Sequence, residues 1–98
     1  MHPNIRIDVR FHDAEKFTII DVYGPDMTGF LYKVTRAVSK FGLIIHNAKI
    51  GTRGDGIVDS FYVVDADGHP ITNPDQRKRI REKIVHTINQ LITVQLGQ

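Results

Sequence analysis

Apolar residues occupy every second position near the start of the chain, at Ile5, Ile7, Val9 and Phe11. A period of two predicts a strand with one buried face and one polar face. A polar turn follows at residues 13–16, and residues 17–23 form a second β-rich run. Because the connection is so short, the two strands are predicted to pair as an antiparallel hairpin.

Two later segments have the spacing of amphipathic helices. In residues 29–41, apolar side chains recur every three or four positions, at Leu31, Val34, Val38 and Phe41. Gly42 is expected to end this helix in the left-handed conformation. A second helix is predicted from the N-cap residue Asn73 to about Thr93, followed by a frayed tail over residues 94–98. Its apolar stripe consists of Ile80, Ile84, Ile88 and Leu91.

A third strand is predicted over residues 43–52, and its apolar residues change phase. They are Leu43, Ile45, Ala48 and Ile50. In a regular strand the first two would face one side of the sheet and the last two the other. A bulge near His46 and Asn47 would return all four to the core.

A fourth strand is predicted over residues 57–65, between a glycine-rich hairpin turn at 51–56 and a turn cluster at 65–70. Its core-facing residues are expected to be Ile57, Phe61 and Val63. The element order is therefore β-β-α-β-β-α. It predicts an α+β domain of the ferredoxin-like sandwich type, with a four-stranded antiparallel sheet and two helices on one face. The N-terminal strand would fill the place beside the second strand.

Composition is consistent with one small globular domain over residues 1–98, with its core at about 5–92. Of the 98 residues, 41% are hydrophobic and 24% are charged. There is no cysteine, so disulfides and thiolate chemistry are excluded. A net charge of +2 gives little reason to expect nucleic-acid binding. No apolar run approaches the roughly 20 residues of a membrane span, and residues 1–5 do not resemble a signal peptide, so we expect a cytoplasmic protein without membrane contact.

The loop between the second strand and the first helix carries the most informative chemistry. A helix N-terminus has unpaired amides and a partial positive charge, which suit a carboxylate or a phosphate. Asp26 adds an acceptor, and Gly29 lets a ligand approach the backbone without a Cβ in the way. A structural alternative is that Asp26 or Thr28 caps the helix and Gly29 serves the turn.

Three motifs follow one another along the chain in a specific order. They are Asp26-x-x-Gly29-x-Leu31, then Gly42-Leu43-x-Ile45, then Val58-Asp59-x-Phe61-Tyr62-Val63-x-Asp65-x-x-Gly68. Together they resemble the ACT regulatory domain, from about Ile5 to Leu91. Within that family the chain is most similar to the C-terminal ACT repeat of bacterial PII uridylyltransferase/uridylyl-removing enzymes. The resemblance implies a non-catalytic domain that binds a small amino acid, glutamine above all, and relays its occupancy to the catalytic domains of a larger enzyme.

The resemblance also implies where the ligand binds. Its expected ligand-binding residues are Gly24, Asp26, Met27, Thr28, Gly29, Phe30, Leu31, Ile44, His46 and Asn47. The chain differs from the family pattern at Met27-Thr28, where Arg-Pro is usual, and at Ile44, where Asn is frequent. We expect a homodimer formed through the edge of the third strand and the first helix. The ligand would then lie between the loop of one copy and the third strand of the other.

Other kinds of chemistry have little support in the sequence. The five histidines show no metal-ligand spacing, and no cofactor or metal is expected. Ser39 and Ser60 lack the surroundings of a nucleophile, and the basic residues at 77–83 are expected to form a solvated face. An RNA-binding module would need a basic-aromatic platform, whereas Phe61 and Tyr62 must point to opposite faces. An acylphosphatase-like enzyme would need an arginine in the loop at 24–29, which has none.

Overall fold

The computed structural model describes residues 6–54 and 56–96. The elements, in chain order, are β1 (Asp8–Asp13), β2 (Thr18–Pro25), α1 (Phe30–Ser39), β3 (Ile44–Arg53), β4 (Gly56–Val64) and α2 (Pro74–Leu96). This is the predicted order, β-β-α-β-β-α. Residues 1–5, 55, 97 and 98 lie outside the described residues, so the predictions for Ile5, for the N-terminal segment and for the end of the tail are not tested there. In the described part of the chain, no helix combines the length and apolarity that crossing a membrane requires.

The four strands form one antiparallel sheet in the order β1-β2-β4-β3. β1 and β2 are a hairpin in which Asp8 lies opposite Tyr23 and Asp13 opposite Thr18, as the alternating pattern predicted. β1 therefore forms one edge of the sheet, beside β2, and β3 forms the other edge. The predicted fold class is confirmed.

Both helices pack on the same face of this sheet, and the core lies between the two layers. The buried sheet residues alternate along each strand, as a half-covered sheet requires. The core cluster includes Val9, Ile20, Val22, Phe61 and Val63 from the sheet, Phe30, Val34 and Val38 from α1, and Ile80, Ile84, Ile88 and Ile92 from α2. In the described part of the chain, no helix lies on the opposite face of the sheet.

The buried face of α1 includes Val34 and Val38 as predicted but not Leu31. Phe30 and Ala37 are buried together with Val34 and Val38, whereas Leu31 is 37% exposed. The spacing i, i+4, i+7 and i+8 describes this face better than the predicted spacing does. Leu31 consequently lies on the flank of the helix and not in the core.

The helix ends follow the predicted signals, with one correction. Gly42 has φ 74° and its amide donates to the Ser39 carbonyl at 3.0 Å, so it ends α1 as predicted. Asn73 caps α2, because its Oδ1 accepts the Gln76 amide at 3.0 Å. α2 continues to Leu96, so the prediction of a frayed tail beginning at residue 94 was wrong.

The bulge predicted in β3 is present, but its consequence is only partly as predicted. The register shifts between Ile45 and Asn47. As a result, Ala48 lies opposite Phe61, and Ile50 lies opposite Asp59. Ala48 and Ile50 thus face the helix side. Both are nevertheless exposed, and Ile50 is 62% accessible. The expectation that they lie in the core was wrong for a single chain, because no helix covers this edge of the sheet.

Thr18 joins β2 to the segment that precedes α2. Its buried hydroxyl accepts the Ile71 amide at 2.8 Å and donates to the Ile71 carbonyl at 3.3 Å. Thr18→Val keeps the shape but leaves that buried amide unpaired, so we expect the free energy of unfolding to fall by about 1–3 kcal/mol. Urea denaturation measures the loss. Thr52→Val, at an exposed strand position, is the control and should change stability by less than about 0.5 kcal/mol. Equal effects of the two substitutions would contradict this role for Thr18.

Candidate functional site

The loop between β2 and α1 opens onto solvent at the start of the helix. Gly29 is the N-cap residue, with φ 80°, and no side chain caps the helix there. The structural alternative of a cap by Asp26 or Thr28 is therefore not what the chain uses. The Phe30 amide donates to the Met27 carbonyl at 3.1 Å, and the first helical bond runs from the Lys33 amide to the Gly29 carbonyl at 2.9 Å.

This arrangement leaves a place for an anion. The amides of Leu31 and Tyr32 precede the first helical hydrogen bond, and they lie at the positive end of the helix dipole. Both residues are exposed, as are Asp26, Thr28 and Gly29. A carboxylate could approach these amides without displacing a side-chain cap. No acidic side chain of the first turn competes for them.

Gly24 and Phe30 have a structural part in this loop. Both are buried, and the Phe30 ring rests directly on Gly24. A Cβ at Gly24 would lie 2.6 and 2.8 Å from two atoms of that ring. The missing side chain therefore lets Phe30 descend onto the sheet, and this contact fixes where α1 begins.

Gly24→Ala is expected to push Phe30 outward and to lower the free energy of unfolding by about 1–3 kcal/mol, as overpacking usually does. The matched control is Gly51→Ala, because a Cβ there meets nothing within 4 Å and Gly51 has no positive φ. Thermal and urea unfolding of both variants measure the difference. If Gly24→Ala were as stable as Gly51→Ala, Phe30 would not need this space.

The predicted β3 residues do not meet the loop within one chain. Ile44 lies opposite Val64, at the end of the sheet far from Pro25 and the loop. The His46 ring packs edge-on against Phe17, with 5.3 Å between the ring centroids, on the face without helices. Asn47 accepts the amide of the following residue through its Oδ1, at 2.9 Å, and is exposed. The structure thus brings the loop residues together and leaves Ile44, His46 and Asn47 apart from them.

Sequence reasoning did not assign Asp59 to the site, although it noted the residue in a motif. Asp59 is 0% exposed, on the helix-covered face of β4. Neither carboxylate oxygen has a hydrogen-bond partner among the described residues. Burial raises the pKa of Asp59 from 3.8 to about 6. The sequence did contain a signal for this burial. Ile57 and Phe61 were predicted to face the core, and Asp59 lies between them at the same period of two.

The last turn of α2 reaches the loop. The side-chain amide of Gln95 donates to the Thr28 carbonyl at 2.6 Å. Since α2 was predicted to end near Thr93, this contact was not foreseen. It connects the backbone of the candidate ligand loop to the second helix.

The basic residues at the start of α2 join the helix to β1. Arg77 donates to the Ile71 carbonyl at 2.8 Å and pairs with Asp13. Arg81 donates to the Val9 carbonyl at 3.2 Å. Both guanidinium groups also lie over the Phe11 ring, at 5.4 and 5.2 Å from its centroid. Arg77 is thus half-buried and not part of a solvated face, whereas Lys78, Arg79 and Lys83 are exposed, as predicted.

A serine, a carboxylate and a histidine lie together on the helix-free face. Ser60 Oγ donates to Asp21 Oδ1 at 2.6 Å, and His12 Nε2 lies 2.9 Å from Asp21 Oδ2. The carboxylate is between the other two groups, so His12 is not placed to take a proton from Ser60. This order does not activate a nucleophile.

The turn after β4 has the role that the sequence predicted. Asp65 Oδ1 accepts the amides of Asp67 and His69, both at 2.9 Å. The hydrogen bond from the His69 amide is the main cause that lowers the pKa of Asp65. Asp65 is therefore a turn former and not one of a catalytic pair.

The fold and the uncapped loop together define a class. The family model of the ACT domain matches residues 18–86, and the chain belongs to the ACT domain family. It is an ACT regulatory domain.

Three relatives place it more closely. Bifunctional uridylyltransferase/uridylyl-removing enzymes are 41% identical over 87 residues in Azospirillum brasilense and 37% identical over 87 residues in Rhodospirillum rubrum. The enzyme of the same name from Pseudomonas putida is 36% identical over 78 residues. The matches cover 89%, 89% and 79% of this chain but only 9% of each relative. The chain therefore spans about a tenth of the length of these relatives. No solved structure was found to match it.

Proposed function

We propose that this chain senses a small amino acid, glutamine, in the cytoplasm and transmits its occupancy to a nitrogen-metabolism enzyme such as PII uridylyltransferase. The proposal is supported by the ACT family match and by relatives named bifunctional uridylyltransferase/uridylyl-removing enzymes. Glutamine is the ligand that the family resemblance implies. In this proposal the domain itself is regulatory and not catalytic.

The uncapped start of α1 is the observation that carries this proposal. An α-amino acid presents a carboxylate, and the exposed amides of the first turn offer unpaired donors to it. Gly29 keeps the approach free of a side chain, with nothing within 4 Å of its Cβ position. Asp26 lies exposed on the same loop and adds negative charge beside the site.

A second copy of the chain would complete the site. β3 is an edge strand, and two such edges related by a two-fold axis pair in antiparallel orientation. That pairing brings the Ile44 end of one strand towards the Arg53 end of the other. Arg53 lies opposite Gly56, which in turn lies opposite Pro25 at the start of the loop. The β3 residues that are remote within one chain would thus approach the loop of the partner copy.

Transmission follows from linkage. A ligand held between two copies binds the pair more tightly than the single chain, so it shifts the equilibrium towards the pair. The hydrogen bond from Gln95 to the Thr28 carbonyl gives the loop a second connection, to the end of α2. A change in the conformation of the loop would therefore alter this hydrogen bond at the end of α2.

Calorimetry and thermal unfolding with each of the twenty amino acids test this function. We expect glutamine to raise the Tm of the wild type and to bind more weakly to Asp26→Ala. Asp67→Ala, at an exposed turn position, is the matched control and should bind as the wild type does. If none of the twenty amino acids changes the Tm of the wild type, the proposal of an amino-acid sensor is wrong.

A second candidate function is an ACT-like dimerisation module that binds no ligand. It is favoured by one observation, the exposed apolar residues Ala48 and Ile50 on the helix side of an edge strand. Sedimentation with and without glutamine separates the two functions. A sensor should associate more strongly with glutamine, whereas a ligand-free module should associate equally in both conditions. A chain that stays monomeric at high concentration would contradict both interface proposals.

A further inference from the structure

Asp59 is an unusual buried group in this fold. Among the described residues, Thr18 and Asp59 are the buried polar side chains, and the hydroxyl of Thr18 is paired with Ile71. The two oxygens of Asp59 are unpaired. A buried ionised carboxylate without partners is unfavourable, so a donor that reached these oxygens in another state would stabilise the ionised form.

Among the residues that the structure describes, the neighbours of Asp59 include no cation. Its neighbour on β2 is Val22, which is fully buried, and its neighbour on β3 is Ile50. The buried residues that α1 contributes are Phe30, Val34, Ala37 and Val38, and those of α2 are Ile80, Ile84, Ile88 and Ile92. None of these residues is titratable. Lys33 and Arg36 of α1 are exposed.

One side of Asp59 adjoins an open surface. Ile50 is 62% exposed, and Ala48 is exposed beside it on the same face. Along β2 and β4, the next helix-facing pair after Val22 and Asp59 is Gly24 and Ile57, about 7 Å away, since a strand rises about 3.4 Å per residue. Gly24 carries the Phe30 ring at the start of α1. Asp59 therefore lies one strand repeat from the sheet position that supports the ring of Phe30, the first residue of α1.

We propose that Asp59 binds the ammonium group of the amino-acid ligand, which enters over the open face of β3 while its carboxylate meets the first amides of α1. The inference rests on the proposed function and adds to it the group that distinguishes an amino acid from a plain carboxylic acid. Asp26 is exposed and would be screened by water, whereas a charge pair at Asp59 would form in a low-dielectric place. A paired ammonium also gives the orphaned oxygens their missing donors.

Burial raises the pKa of Asp59 to about 6, which adds a titration to the proposal. An ammonium pairs with the ionised carboxylate only. Glutamine itself has no group that titrates between pH 5 and 7. Its affinity should therefore increase as the pH rises through this window, and this increase should depend on Asp59.

The test compares glutamine with 4-carbamoylbutanoate, which is glutamine without its amino group. In calorimetry at pH 7.5, we expect the wild type to prefer glutamine at least tenfold. Asp59→Asn should bind both compounds with affinities that differ by less than about threefold. Asp67→Asn, a surface carboxylate away from the site, should keep the full preference. Asp26→Asn is measured in parallel as the competing ammonium partner.

Each result has one meaning. If Asp59→Asn keeps the tenfold preference, or if Asp26→Asn alone removes it, Asp59 is not the ammonium partner and the inference is wrong, while the sensor function stands. If the wild type binds none of the amino acids, the function and the inference are wrong together. A second measurement guards against a general folding defect. The preference of the wild type for glutamine should fall between pH 7 and 5, and a preference that does not change with pH would overturn the inference.

Discussion

At pH 7, Asp59→Asn is expected to increase the free energy of unfolding by about 3 kcal/mol. In the folded chain, burial without partners raises the pKa of this carboxyl from 3.8 to about 6, a change of about two units. Each unit corresponds to about 1.4 kcal/mol of preference for the neutral form. Asparagine has nearly the same shape and no charge, so the variant avoids the penalty of the buried anion.

The gain in stability should depend on pH in one direction. Between pH 4 and 6 the folded chain holds a proton on Asp59 that the unfolded chain has released, so wild-type stability falls as the pH rises. Below about pH 4 the carboxyl is neutral in both states and the two proteins should be nearly equal. Above about pH 6 the full difference is present. Urea denaturation across this range measures the profile.

Asp67→Asn is the control for this profile. Asp67 is exposed on a turn, so its substitution should leave both the stability and its pH dependence close to those of the wild type. If Asp59→Asn were less stable than the wild type at pH 7, the carboxylate would have a partner in the folded chain and would not be orphaned. If Asp59→Asn stabilises the chain and also removes the proposed ligand discrimination, stability and function are in conflict at this position.

Ile50→Lys is expected to weaken the proposed self-association by at least about a hundredfold. Burying an isoleucine side chain contributes about 1.5–3 kcal/mol, and a two-fold pair buries two of them. Each 1.4 kcal/mol corresponds to a factor of ten in Kd. Ile50 is 62% exposed in the single chain, so lysine there should leave the monomer folded. Sedimentation velocity over a range of concentrations measures the change.

Val94→Lys is the matched control for the association experiment. Val94 is 64% exposed, much as Ile50 is, but it lies on α2 and not on the sheet edge. We expect its substitution to leave Kd within about threefold of the wild-type value. If Val94→Lys weakened association as much as Ile50→Lys, the contact would involve the helices and not the edge of β3.

Periodicity predicted the elements and their order because the core is one-sided. A strand that buries one face must alternate, and Ile20 and Val22 or Phe61 and Val63 do so without interruption. The bulge of β3 was predictable for the same reason, since the apolar residues changed phase within one strand. These features depend on local geometry alone, and the local sequence specifies them.

Periodicity could not predict which positions on the helix-facing side of the sheet are actually covered by a helix. Ala48 and Ile50 lie on the correct face, yet nothing in a strand pattern says that α1 stops short of the edge. Leu31 was assigned to the core because its spacing from Val34 and Val38 also fits a helical stripe. Phe30 is buried in its place because Gly24 leaves space for its ring. Asp59 was visible as a carboxylate on an apolar face. Its lack of a partner is a property of the folded chain only.

The two edges of the sheet differ in a way that limits how many copies can join. β1 presents Asp8, Arg10, His12 and Asp13 along its length, and Arg10 bonds Asp8 at 2.9 Å. A strand edge with several charged side chains resists the addition of another strand, whereas in the proposed pair β3 joins through an edge that exposes Ile50. In the proposed pair both β3 edges are occupied, and β1 remains as the outer strand at each end of the joined sheet. Growth would then stop at two, and the sheet would be protected from extending into a fibre.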